Sequence, residues 1–149
     1  TYSFNSAIAA KAKNNLKKFN INVDCIHENL FLTNYAALRE SVNRTKRLLT
    51  IDIGSSRLGL GSEIISQLLE DDLVKNKFTC HRLGTPWEAA PAKPELTRQF
   101  FPDEIQIYDS LKKLLPTKYA NTLDLVISEL QSDFNSLCDV PDQSFTGPF

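Results

Sequence analysis

Apolar residues recur at intervals of three and four along most of this chain, a spacing that predicts amphipathic helices. In the first helix the stripe is Phe4, Ile8, Ala12, Leu16 and Phe19, with the lysines of that helix in water and Asn20 as its stop. The predicted helices run from Ser3 to about Phe19, from a cap at Thr33 or Asn34 to Arg47, from a cap at Ser62 to Leu69, from Pro102 to Leu115, and from Ala120 to Leu137.

Between these helices lie shorter apolar stretches that predict β-strands. Leu48–Ile53 is a nearly continuous apolar run, which is typical of a central strand covered on both faces. Ile21–His27 alternates apolar and polar residues, and Phe78–Leu83 is a further candidate. Thr1 and Tyr2 resemble the last residues of an earlier strand that leads into the first helix. Because strands alternate with helices, we expect an α/β fold with three α/β/α layers, a mostly parallel sheet and an additional C-terminal helix.

A glycine-rich turn follows the predicted central strand and is the first candidate for a site. Gly54, Gly59 and Gly61 permit sharp turns or a positive φ, and Ser62 can cap the helix that opens at Glu63. Crevices at the carboxyl ends of parallel strands are common binding sites. However, the turn lacks the third glycine of GxGxxG and the GK(S/T) of a P-loop, so we interpret it as a structural turn rather than a phosphate site.

The segment from Gly84 to Phe101 is the least regular part of the chain. Its prolines exclude a continuous helix, and it carries the single tryptophan, Trp87. A loop of this length in a compact domain indicates a functional or interface role. The last residues, 139–149, are predicted to be irregular.

Composition excludes several classes of protein. The chain has 149 residues and a formal net charge of -1, so nothing in its overall charge indicates nucleic acid or an anionic membrane as a partner. The cysteines, Cys25, Cys80 and Cys138, fit neither a zinc motif nor a disulfide framework and predict a reducing compartment. His27 and His81 are interpreted as structural, and Asp52 lacks an evident partner for acid–base chemistry. The sequence shows neither a membrane span nor a leader, so we expect a protein that is neither secreted nor membrane-embedded. Because it contains no methionine and begins at Thr1, we expect a piece of a longer protein.

Two motifs together resemble those of a known family. Residues 45–52, TKRLLTID, follow the pattern T-x-R-L-(L/V)-x-(V/I)-(E/D), and residues 59–64, GLGSEI, follow G-x-G-(S/A)-E-I. Downstream come Arg82, Leu83 and Gly84, a proline-rich loop, and a helix that ends in LKKLL at Leu115. This order resembles the C-terminal domain of transketolase-type thiamine diphosphate enzymes, especially the beta subunit of 2-oxo acid dehydrogenase decarboxylase components.

The resemblance implies a supporting domain at residues 1–115, followed by a helical extension and irregular tail at 116–149. Thiamine diphosphate and magnesium would be held by the other domains or the alpha subunit, and this chain would bind neither. The parent enzyme would decarboxylate a 2-oxo acid and transfer the acyl group, as a dimer or heterotetramer in the cytoplasm or the mitochondrial matrix, with an acyltransferase core as a further partner. The expected interface residues are Arg57, Gly59, Gly61, Ser62, Glu63, Pro86, Trp87 and Pro91.

Two alternatives remain open on the sequence. The first is a free-standing flavodoxin-like interaction or small-ligand module, favoured by the glycine turn at a strand's carboxyl end. The second is a fragment of a transketolase or a deoxyxylulose phosphate synthase, which differs in substrate.

Overall fold

The computed structural model describes residues 5–27, 34–93, 97 and 100–138, with side chains as far as residue 132. Within these residues the elements are, in chain order, α1 (Asn5–Lys17), α2 (Tyr35–Thr45), β1 (Arg47–Ser55), α3 (Leu60–Glu70), β2 (Thr79–Thr85), α4 (Glu104–Leu114), a 3-10 turn (Thr117–Tyr119) and α5 (Ala120–Cys138). None of the helices in this part of the chain combines the length and apolar content of a membrane span. The predicted irregular tail at 139–149 lies outside the described residues.

Helix α1 ends at Lys17, two residues before the predicted end near Phe19, although the chain turns at Asn20 as predicted. Asn20 adopts a left-handed conformation with φ of 58°, which polar Asn tolerates well, and the Ile21 amide then donates to the Leu16 carbonyl over 3.1 Å. Leu16 is buried as predicted, whereas Phe19 lies beyond the helix and is 39% exposed, so its place in the apolar stripe was wrong. Phe4 lies outside the described residues.

Helix α2 is fixed at both ends by residues that its sequence supplies. The Asn34 side chain accepts a hydrogen bond from the Ala37 amide over 3.1 Å, which confirms the predicted cap. At the other end Lys46 adopts a left-handed conformation with φ of 57°, and its amide donates to the Val42 carbonyl over 2.8 Å. The helix therefore stops at Thr45, and Arg47 already belongs to β1.

The described sheet consists of two parallel strands, β1 and β2. Their register is regular from Arg47 opposite Thr79 to Ile51 opposite Leu83, and an irregularity follows before Ser55 opposite Thr85. The strand predicted at Ile21–His27 is wrong. These residues form no ladder with β1, although they run beside it, because a cavity separates the two segments. Within the described residues β1 is thus covered on both faces but paired along one edge only.

Helices pack on both faces of the sheet and form two separate apolar clusters. One face of β1, with Ile51, packs against α1, α4 and α5, and the opposite face, with Leu48, packs against α2 and α3. The buried members of the first cluster are Ala9, Ala12, Leu16, Ile21, Ile51, Ile107, Tyr108, Leu111, Leu123, Val126 and Ile127. Those of the second are Leu38, Val42, Ile64 and Leu68. The α/β fold with a helical layer on each face, and with an additional C-terminal helix, is therefore confirmed.

The two C-terminal helices differ from the prediction only at their boundaries. Asp103 caps α4 by accepting a hydrogen bond from the Gln106 amide over 2.7 Å, so Pro102 precedes the cap and does not lie in the first turn. Helix α5 packs on α4 through Leu123 and Val126, which belong to the same cluster as α1. The domain boundary at residue 115 stays a prediction, and α5 shares a core with the residues before it.

Candidate subunit-interface site

The two segments that carry the expected interface residues meet at one edge of the described sheet. Because β1 and β2 are parallel, the turn after β1 and the loop after β2 both begin at the carboxyl edge of the sheet. The Ser56 amide donates to the Thr85 carbonyl over 2.9 Å and joins the two segments. This brings the glycine turn and the proline loop, which are more than twenty residues apart in sequence, onto a common surface.

The glycines of the turn do not take the positive φ that the sequence analysis allowed. Among the described residues no glycine has a positive φ, and the left-handed position in the turn is occupied by Leu58, with φ of 55°. Gly59 is required for a different reason: a Cβ added there would lie 2.2 Å from the Ser55 carbonyl oxygen. The turn is therefore tight because two backbone segments approach each other closely.

Helix α3 begins earlier than predicted, and Ser62 is not its cap. Gly59 occupies the cap position without a side-chain hydrogen bond, and Leu60 is the first helical residue. Ser62 lies in the first turn, where its hydroxyl accepts a hydrogen bond from Arg82 Nη1 over 2.6 Å. The helix extends one residue beyond the predicted end, to Glu70. Ser62 thus connects α3 to β2 instead of closing the helix end.

Gly61 differs from the other expected interface residues because it is buried. A Cβ at this position would lie 2.5 Å from Thr50 Oγ1 and 3.0 Å from Thr50 Cβ. Gly61 therefore lets α3 pack directly on β1. Its first effect is on the interior of the domain, and any effect on a partner is indirect.

Of the expected residues after β2, Pro86 and Trp87 line a cleft, and Pro91 does not. Pro86 and Trp87 are exposed, Trp87 by 61%, whereas Pro91 is partly buried and its carbonyl accepts a hydrogen bond from Thr97 Oγ1 over 3.1 Å. The cleft has a volume of about 410 Å³ and is lined by Ser55, Thr85, Pro86, Trp87, Glu88, Ala90 and Phe100. The lining therefore combines two aromatic side chains with residues from the ends of both strands.

The charged side chains at this edge are of both signs and mostly exposed. Arg57 is exposed, and its amide donates to Ser55 Oγ over 3.1 Å. Glu63 accepts a hydrogen bond from Gln67 Nε2 over 2.9 Å. The Asp52 side chain bonds locally, since its Oδ1 accepts a hydrogen bond from the Gly54 amide over 3.0 Å. No single sign of charge dominates, which fits a protein surface better than a site for an anionic ligand.

The remaining chemical candidates do not join this edge. Cys25 Sγ lies 3.8 Å from His27 Nε2 in the segment that follows α1, and Cys80 is an exposed free thiol on β2. Burial, together with Lys113 and Arg82, lowers the pKa of His81 below its usual value. No group of three or more potential metal ligands occurs in residues 5–27, 34–93 and 100–138. We assign no step of thiamine or magnesium chemistry to these residues.

Sequence reasoning missed several residues of this surface. Leu58 is 86% exposed at the tip of the turn, and Phe100 and Phe101 pack edge to face with ring centroids 5.4 Å apart. Arg82, on β2, supplies the bond to Ser62. The sequence did contain a signal for Leu58: it is an apolar residue within the glycine turn, and it belongs to the apolar stripe of no predicted helix.

The fold and this surface together define the class of the protein. The chain forms a three-layer α/β/α domain whose candidate site is a partly apolar surface at the carboxyl edge of its parallel strands. The family described as "Transketolase, C-terminal domain" matches residues 1–107, and the chain belongs to this family. The match ends within α4, so α5 lies beyond it. No curated protein and no solved structure matches the chain.

Proposed function

We propose that this chain is the supporting domain of a thiamine diphosphate-dependent 2-oxo acid dehydrogenase beta subunit, and that it acts in assembly and at a subunit interface. The parent enzyme decarboxylates a 2-oxo acid and transfers the acyl group, while the other domains or the alpha subunit hold thiamine diphosphate and magnesium. Membership of the transketolase C-terminal family supports the class, and the motifs at residues 45–52 and 59–64 favour the dehydrogenase branch.

The observation that carries the proposal is the pair of exposed apolar side chains at the carboxyl edge. Leu58 is 86% exposed and Trp87 is 61% exposed, one on each of the two segments that meet there. Single exposed apolar residues are ordinary, but tryptophan is enriched at the centres of protein interfaces. We call this surface, formed by Arg57, Leu58, Pro86 and Trp87, the carboxyl-edge surface.

Its backbone is held in place before any partner binds. Hydrogen bonds from the Ser56 amide to Thr85 and from the Arg57 amide to Ser55 fix the turn, and Arg82 ties β2 to α3. A surface that is already ordered loses less conformational entropy on association. This favours a docking role over that of a mobile loop.

The test is assembly of the complete parent enzyme, expressed with its full reading frame and the adjacent subunit. Truncating Trp87 to serine removes a central aromatic anchor, and we expect the subunit dissociation constant to rise by about tenfold or more. Leu125→Ser is the matched control, because Leu125 is 62% exposed but lies on α5. Analytical ultracentrifugation measures the constant, and chemical denaturation of each chain checks that stability is unchanged.

Equal assembly of both variants would refute an interface role for the carboxyl-edge surface. The substrate class is tested separately by thiamine-dependent turnover of 2-oxo acids compared with ketose phosphates. Turnover of ketose phosphates alone would assign the parent to the transketolase or deoxyxylulose phosphate synthase group. Titration of the isolated chain with nucleotides addresses the remaining rival, since affinity there would indicate a free-standing ligand module.

A further inference from the structure

The cleft after β2 combines aromatic rings with a single charged group, and we call it the Trp87 cleft. Trp87 and Phe100 supply the rings, and Glu88 is the only charged residue in the lining that the structure describes. Ser55 and Thr85, the last residues of β1 and β2, add hydroxyl groups. Because the face of an aromatic ring is negative and Glu88 carries a full negative charge, such a lining attracts cations.

The Glu88 carboxylate has no counter-ion within the part of the chain that the structure describes. The ion pairs there join acidic groups to Lys11, Arg39, Arg44 and Lys112, and Glu88 belongs to none of them. An exposed carboxylate stays solvated at little cost, so the lack of a counter-ion alone indicates no site. Beside an aromatic cleft, however, it gives the lining a negative charge that a cation from outside would neutralise.

The basic residues of the adjoining described segments do not fill the cleft. Arg57, in the turn after β1, is exposed and does not line it. Arg82 of β2 donates from Nη1 to the Ser62 hydroxyl of α3 over 2.6 Å. Lys93, farther along the loop, is exposed and does not line the cleft either. These three cations therefore leave the Trp87 cleft open to a cation of another chain.

The walls of the cleft are ordered in the single chain. The Ser56 amide donates to the Thr85 carbonyl over 2.9 Å and holds the ends of the two strands together. Phe101 packs edge to face on Phe100, with the ring planes at 84°, and limits the rotation of that ring. Pro86 restricts the backbone that leads to the tryptophan. A cation that enters meets walls that need little further ordering, which lowers the entropic cost of binding.

The size and composition of the cleft favour an arginine side chain as that cation. Its volume of about 410 Å³ lies near the lower end of the roughly 300 to 1,000 Å³ of ligand pockets, so one long side chain with its flanking backbone fits. The guanidinium group is planar, stacks on aromatic rings and pairs with a carboxylate, whereas the ammonium group of lysine is compact and strongly hydrated. Arginine is also enriched at protein interfaces, where lysine is depleted.

We propose that the Trp87 cleft binds an arginine side chain of the partner subunit, with the guanidinium group stacked on Trp87 and paired with Glu88. This inference rests on the proposed function, because that function supplies the partner. It adds the chemistry of the contact: Trp87 is the aromatic anchor of the carboxyl-edge surface, and the carboxylate beside it selects a cation to cover the ring. The exposed 61% of Trp87 is then largely buried in the assembled enzyme.

The first test is assembly of the complete parent enzyme with Glu88→Gln, which keeps the size of the side chain and removes its charge. We expect the subunit dissociation constant to rise by about threefold to tenfold in about 0.05 M salt, and this difference from the unmodified enzyme to shrink in about 0.5 M salt, which screens charges. Glu129→Gln is the matched control, because Glu129 is exposed but lies on α5. Analytical ultracentrifugation measures each constant.

The second test uses the fluorescence of Trp87, which is the single tryptophan of the chain and therefore reports on this cleft alone. The complete chain is titrated with methylguanidinium, the head group of arginine, and with methylurea, a neutral analogue of similar shape. Ionic strength is held constant, and each ligand is kept below about 0.1 M, far under the concentrations at which guanidinium salts unfold proteins. We expect a saturable change with methylguanidinium only, with a dissociation constant of about 10 mM that rises about threefold or more in Glu88→Gln.

Equal dissociation constants for the Glu88→Gln and Glu129→Gln enzymes would overturn the proposal. A titration in which methylguanidinium and methylurea give the same response, or in which neither gives one, would also overturn it. If Trp87→Ser weakens assembly and Glu88→Gln does not, the interface role stands and only the arginine contact is wrong. If neither substitution changes assembly, the proposed function fails and the contact with the partner fails with it, even where methylguanidinium binds.

Discussion

The contact between Gly61 and Thr50 gives the sharpest prediction about the folded domain. A Cβ at Gly61 would lie 2.5 Å from Thr50 Oγ1, a distance that atoms in folded proteins do not tolerate. Thr50 is 8% exposed and β-branched, so it has little freedom to turn away. Gly61→Ala therefore forces α3 away from β1.

The expected cost follows from two opposing effects. Overpacking of a filled interior costs about 1 to 3 kcal/mol. The higher helix propensity of alanine offsets up to about 1 kcal/mol of this cost. We therefore expect Gly61→Ala to lower the free energy of unfolding by about 1 to 2 kcal/mol, which corresponds to about 2 to 4 °C in Tm per kcal/mol for a chain of this size.

A double-mutant cycle isolates the contact. Thr50→Ala removes the Oγ1 atom that a Gly61 Cβ would meet, although the contact of 3.0 Å to the Cβ at residue 50 stays. In that background Gly61→Ala should cost at least about 1 kcal/mol less than in the unmodified chain. Urea denaturation followed by circular dichroism measures each free energy of unfolding.

Gly54→Ala, in β1, is the matched control. The atoms nearest to a Cβ there would be those of the Asp52 side chain, at 3.4 Å or more, so the free energy of unfolding should change by no more than about 0.5 kcal/mol. The reasoning is refuted if Gly61→Ala costs the same with threonine and with alanine at position 50. It is also refuted if Gly61→Ala and Gly54→Ala are equally well tolerated.

Two further predictions concern charge and capping. Burial lowers the pKa of His81 in the folded chain, so the unfolded chain binds its proton more readily, and His81 contributes stability at neutral pH that is lost as the pH falls below about 6.5. The free energy of unfolding, measured by urea denaturation, should fall less between pH 7.5 and 5.5 in His81→Gln than in the unmodified chain. An equal fall in both would rule out this contribution. Asn34→Ala removes the acceptor for the Ala37 amide and should cost about 1 kcal/mol, whereas Asn34→Asp should retain most of the stability. Equal losses in the alanine and aspartate variants would show that the cap does not stabilise α2.

Local signals in the sequence were sufficient for the helices and for the two paired strands. The cap at Asn34, the left-handed stop at Asn20 and the apolar run that became β1 all act through residues close together in the chain. Such interactions can be recognised without knowing what packs against them. The boundary errors at Ser62 and Pro102 arose because each residue has the right chemistry for a helix start, but the caps lie at Gly59 and at Asp103.

Only the tertiary structure decided how these elements meet. The period of two in residues 21–27 is real, but a strand exists only if a neighbour lies within hydrogen-bonding distance, and a cavity lies there instead. The need for glycine at position 61 depends on Thr50, which comes from a different element. Likewise the exposure of Leu58 and Trp87 at one edge depends on the parallel pairing of β1 and β2, and a surface of this kind has no signature within either segment alone.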